Sequence, residues 1–112
     1  MKRIEIIIPD RKLPAVNNIL KEANVGGISY HRIEGRGKAR PITVGRGTSD
    51  YVPEFIPRLQ VEVVVRDEQV EGLISKIVDR VGGDISTGGK IFVVDVPVVV
   101  DLATKKRNEA AI

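Results

Sequence analysis

LQVEVVVRDEQVEGLISKIVDRVGG, residues 59–83, changes period in its middle, and that change decides the fold. Leu59, Val61, Val63 and Val65 alternate with Gln60, Glu62 and Val64. A repeat of two is that of a strand whose sides face different surroundings. The strand is expected to run from Phe55 to Val65. Further on, Val70, Leu73, Ile74, Ile77, Val78 and Val81 recur at helical spacing and form one apolar stripe. Asp67 is placed to cap this helix, with Glu68 in the first turn where the dipole favours acid. Gly82-Gly83 ends it.

The first half has the same order. Ile4, Ile6 and Ile8 alternate with Glu5 and Ile7 as a strand, which Pro9-Asp10 closes. Leu13, Val16, Leu20 and Ala23 follow at helical spacing, Gly26-Gly27 stops that helix, and Ile28–Ile33 is a second strand. Beyond residue 90, Ile91–Val96 is a fourth strand that Pro97 interrupts. Val98–Val100 is expected to pair again at a sheet edge, and the tail Lys105–Glu109 to be solvated. Strand–helix–strand, twice over, is the ferredoxin-like βαββαβ plan of the α+β class. It lays two helices on one face of a four-stranded antiparallel sheet, with residues 1–112 as a single domain. The uncovered face then carries Ile7, Val64 and Phe92, an apolar set that calls for burial in an oligomer.

Composition narrows the function classes. The chain has 112 residues, 42% hydrophobic and 29% charged, as a globular domain does. It contains no cysteine, so a disulfide framework and a thiolate metal site are both excluded. The net charge of +3 falls short of a nucleic-acid binder's usual excess. The opening MKRIEIIIPD is too short in its apolar run for a signal peptide, and no segment approaches a membrane span. A cytoplasmic protein is expected.

Two stretches carry charge and glycine in functional patterns. Residues 35–54, GRGKARPITVGRGTSDYVPE, have neither helical nor strand period, and a connection this long in a small domain usually serves function. From Gly35 to Ser49 the charged residues are Arg36, Lys38, Arg40 and Arg46, all basic. Such an arm suits phosphate or an acidic surface. Residues 82–90, GGDISTGGK, bring Gly88 and Gly89 before Lys90, so backbone N–H groups and an ammonium can meet an anion. This is not a Walker loop, because Ile91 follows the lysine and a strand follows the loop. His31, the sole histidine, has no partners for a metal, and no catalytic set stands out, so neither a metal site nor an enzyme is expected.

Four stretches together resemble the PII signal-transduction family, the GlnB/GlnK-like nitrogen regulators. They are Glu34-Gly35-Arg36-Gly37-Lys38, Tyr51 through Arg58, Val61 through Val65, and Gly89-Lys90-Ile91-Phe92-Val93. The ending Glu109-Ala110-Ala111-Ile112 is similar too. The resemblance implies a homotrimer that binds AMP, ADP or ATP in clefts between subunits. It makes residues 35–54 the T-loop, 82–90 the B-loop and 101–112 the C-terminal tail. By position, Ile7, Ser29, Glu62 and Val64 match the adenine and ribose side of the cleft. Gly35, Gly37 and Lys38 match the base of the arm over the phosphates, and Gly88, Gly89 and Lys90 the B-loop. Arg36, Arg40, Arg46 and Arg58 would face a small anion or the T-loop's effector, and Tyr51 matches the family's modifiable tyrosine.

The departures are informative. Ala39 stands where the family has a magnesium-holding glutamine, which puts magnesium and 2-oxoglutarate in question. Asp101 and Ala103 stand where the family has two phosphate-reaching arginines. The sequence therefore reads as a divergent PII-like sensor favouring AMP or ADP over ATP. Its partner would be a membrane transporter, ammonium channel-like or other, or a metabolic enzyme met through the arm, and a transporter would hold it peripherally at the membrane. The alternatives are an RNA-binding ferredoxin-like domain and a CutA-like structural or metal-tolerance trimer. The first would need stacking aromatics, and the chain has two Phe and two Tyr. The second lacks a long basic arm, and this chain lacks clustered His or Cys.

Overall fold

A computed structural model describes residues 1–37, 54–84 and 88–112. Strands β1 (Lys2–Ile8), β2 (Ser29–Gly35), β3 (Ile56–Val65) and β4 (Lys90–Asp95) alternate with helices α1 (Leu13–Glu22) and α2 (Val70–Val81) as βαββαβ. The described strands form one antiparallel sheet in the order β2-β3-β1-β4. The two central strands are the consecutive members of neither half, which is the split arrangement expected from the sequence.

The two-residue repeat sorts side chains cleanly. Ile4, Ile6 and Ile8 of β1 and Leu59, Val61, Val63 and Val65 of β3 are buried under the helices. They meet Val16, Ile19 and Leu20 from α1 and Val70, Leu73, Ile77 and Val81 from α2 in one core. Each such side chain contributes roughly 1.5–3 kcal/mol by leaving water. Arg80 near the end of α2 pairs with Glu22 at the end of α1 at 3.0 Å, tying the helices together on the solvent side. Val78 departs from the expected stripe, because it is 58% exposed at the flank of α2.

Three local expectations are corrected. Helix α1 is stopped by Asn24, not by Gly26-Gly27. Asn24 lies at φ 55°, and the N–H groups of Asn24 and Val25 donate to the Lys21 and Leu20 carbonyls at 3.0 Å each. Asparagine tolerates this left-handed conformation, which lets the last carbonyls be satisfied. Asp67 does not cap the second helix. Its carboxylate pairs with the Met1 ammonium at 2.8 Å, while Gln69 Oε1 accepts from the Arg66 N–H at 3.2 Å. Val98–Val100 does not rejoin the sheet edge. Val100 instead bridges to Arg107, so the tail doubles back on itself, while Lys105–Glu109 stay exposed as expected.

Candidate functional site

The sheet register puts the expected site residues in rows on the face away from the helices. Ile7 lies between Gln60 and Lys90, with His31 beyond Gln60. The next row is Ser29, Glu62, Glu5 and Phe92. Glu62 and Glu5 are directly opposed, an unfavourable pairing unless each carboxylate finds a partner. Both do: Gln60 Nε2 donates to Glu62 at 3.1 Å, and Arg3 pairs with Glu5 at 2.9 Å. The third row holds Val64, Arg3 and Val94. His31 is exposed on this face and not packed in the core.

The start of β4 is shaped by backbone geometry. Gly89 has φ 101°, and a Cβ on it would lie 2.3 Å from the Ile7 carbonyl oxygen. Only glycine lets the chain pass so close to β1 and bring Lys90 opposite Ile7. The Gly88 N–H donates to the Asp84 carbonyl at 3.3 Å, and the Arg11 guanidinium lies 3.7 Å from the Asp84 carboxylate. Ile7, Gly88, Gly89 and Lys90 edge a cavity of about 290 Å³ whose floor is Ile77 and Val81. The exposed Val78 lines its rim, which explains why the helical stripe is wider than the core.

A second cavity, of about 380 Å³, collects Ser29, Glu62 and Val64. Gly26 and Gly27 border it as well, and so do Ala111 and Ile112 of the tail. Within one protomer the expected set therefore divides. Ile7 joins the glycine loop at the first cavity, apart from Ser29, Glu62 and Val64 at the second. Gly26, Gly27, Ala111 and Ile112 were not foreseen as lining residues. Gly26-Gly27 read as a helix stop, and the tail's return was not visible in its charged composition.

At the base of the arm, Gly35 pairs with Ile56 and closes the sheet. Just beyond it, Arg36 and Glu54 form an ion pair across the arm's two ends. Arg36 is thus engaged by a carboxylate of its own chain. Arg58 donates to the Pro57 carbonyl at 2.9 Å, and Arg32 pairs with Asp10, whose hydrogen bond holds the guanidinium pKa above its ordinary value. Gly37 follows Arg36 as an exposed residue. Lys38, Ala39, Arg40, Arg46 and Tyr51 lie outside the described residues, as does Thr87 of the glycine loop. Among the described residues no group of three His, Cys, Asp or Glu is arranged to hold a metal. No described helix is long and apolar enough to cross a membrane.

The family model for nitrogen regulatory protein P-II matches residues 1–106. The chain belongs to the P-II family. Curated relatives agree over their full length. A nitrogen regulatory protein P-II of Pasteurella multocida (strain Pm70) is 35% identical over 112 residues, 100% of both chains. One from Cereibacter sphaeroides is 34% identical with the same coverage. Nitrogen regulatory protein P-II 1 of Escherichia coli (strain K12) is 31% identical, again over the whole of both. Membership gives this P-II chain a regulatory, signal-transducing role in nitrogen metabolism and agrees with the ferredoxin-like sheet described above.

Proposed function

We propose that this P-II member is a sensor of adenine nucleotides, held in clefts between the subunits of a homotrimer. In this reading the nucleotide state is relayed through the basic arm of residues 35–54 to a transporter or metabolic enzyme, and the protein works in the cytoplasm. The observation that carries it is the division of the site. Lys90 with its glycine loop borders one cavity and Glu62 with Ser29 borders another. A largely apolar half-site edged by the Lys90 ammonium and another carrying Glu62 and Ser29 beside Arg3 would form a whole when different copies meet. Exposed apolar residues along β4 and just beyond it support such a meeting: Phe92, Val93 and Val94 of the strand and Val98 after it are all open to solvent.

The proposed ligand order is AMP or ADP ahead of ATP. Asp101 and Ala103 take the two positions where the family resemblance expects arginines. The Asp101 carboxylate is occupied within its own turn, accepting from the Ala103 and Thr104 N–H groups at 2.8 and 3.1 Å. An anion there repels a triphosphate more than a monophosphate. Calorimetric titration with AMP, ADP and ATP, each with and without magnesium, tests the order. Tighter binding of ATP with magnesium than of AMP would reverse it.

A further inference from the structure

We propose that Ala111 and Ile112 form one wall of the adenine pocket, and that Asp101 sets that wall in place. This rests on the adenylate reading above. The cavity they border is about 380 Å³ even with the tail present, within the usual range of small-ligand pockets. The tail is therefore a side of the pocket and not its plug. Gly26 and Gly27 leave open space, since a Cβ on either meets nothing within 4 Å. A flat ring can slide over that glycine floor. Glu62 borders the cavity, its carboxylate taking a hydrogen bond from Gln60 and keeping acceptor capacity for a ring amine, and the Ile112 side chain, 38% exposed, offers an apolar face.

The tail reaches this position by a built path. The Asp101 carboxylate holds the turn at Ala103 and Thr104. Its backbone closes the same turn, donating to the Lys106 carbonyl at 2.9 Å and accepting from the Lys105 N–H at 2.8 Å. Val100 bridges to Arg107, and the Asn108 N–H donates to the Val99 carbonyl at 2.7 Å. Lys105 and Asn108 sit at φ 63° and 56°, left-handed values that asparagine tolerates and lysine adopts only where the surrounding turn holds it. A single turn of helix, Asn108–Ala111, then carries the chain to the cavity. Asp101 acts on the ligand through this path and is a positioning residue.

The test is calorimetry with adenosine, AMP and ADP on the full chain. Ile112→Ser removes the apolar face and should weaken all three ligands alike, by roughly fivefold. Ile112→Leu should restore binding. Asp101→Ala should weaken adenosine, which carries no phosphate for the carboxylate to repel, to a similar degree, and should combine with Ile112→Ser less than additively. A contact to phosphate would spare adenosine, so equal losses mark contact with the ring. Unchanged or tighter binding by Ile112→Ser would overturn the inference while leaving the nucleotide reading intact. If the unsubstituted protein binds none of the three, the nucleotide reading falls and this inference with it.

Discussion

Replacing Gly89 by alanine strains the structure twice over. At φ 101° an alanine is held where L residues cost about 1–2 kcal/mol. In addition its Cβ would stand 2.3 Å from the Ile7 carbonyl oxygen, so backbone must move. Displacing the β1–β4 contact adds on the order of another 1–2 kcal/mol. Gly83→Ala is the control, because φ is 90° there but nothing lies within 4 Å of the added Cβ. Gly83→Ala should therefore cost about 1–2 kcal/mol and Gly89→Ala about 3 kcal/mol. At about 4 °C per kcal/mol, the Tm of Gly89→Ala should fall by roughly 12 °C. Denaturant and thermal unfolding at one fixed protein concentration would read this, since assembly makes stability concentration-dependent. Equal losses in the two variants would refute the close approach of the loop to β1, and with it the account of how Lys90 is placed.

Other consequences are smaller. Asn24→Ala should cost about 1 kcal/mol, whereas Asn24→Gly should be neutral or slightly stabilising, because the position needs a left-handed backbone; urea melts compare them. Asp67 is held below its ordinary value of 3.8, chiefly by its hydrogen bond to the Met1 ammonium. Its folded pKa is depressed, so its contribution is present above the unfolded value and lost as pH falls through the folded one. The Tm gap between Asp67→Asn and the parent should therefore be present at neutral pH and close in acid. The Arg36–Glu54 pair is exposed on both sides, so a double-mutant cycle should give less than about 1 kcal/mol of coupling, reduced further by salt.

The strands and helices were legible because burial enforces period. Leu59 to Val65 and Ile4 to Ile8 each needed one dry face, and the structure buries those residues under both helices. What escaped reading depends on hydrogen bonds between residues chosen for other reasons. Asn24 ends a helix two residues ahead of a glycine pair that signals a stop more loudly, and those glycines border a cavity instead. Asp67 looked like a cap because its type and place allow it, but a nearby ammonium competed and won. Tail composition reads as solvated, and residues 102–110 are exposed, but composition does not show that the Asp101 turn brings Ala111 and Ile112 to the edge of a cavity. The glycine loop before Lys90 stands out by its own composition, whereas Glu62 enters the candidate site only through the resemblance. Their division between two cavities is a matter of register, which no local pattern encodes.

Subunit mixing tests most directly whether two protomers complete one site. Lys90→Ala and Glu62→Ala each damage one half-site, so each variant alone should bind ADP at least tenfold more weakly. Unfolded together in equal amounts and refolded, they should form mixed trimers in which roughly a quarter of the clefts pair two intact halves. Calorimetry should then recover high-affinity sites in that proportion. If the mixture binds no better than its components, the nucleotide is not held between neighbours and the account fails at its centre.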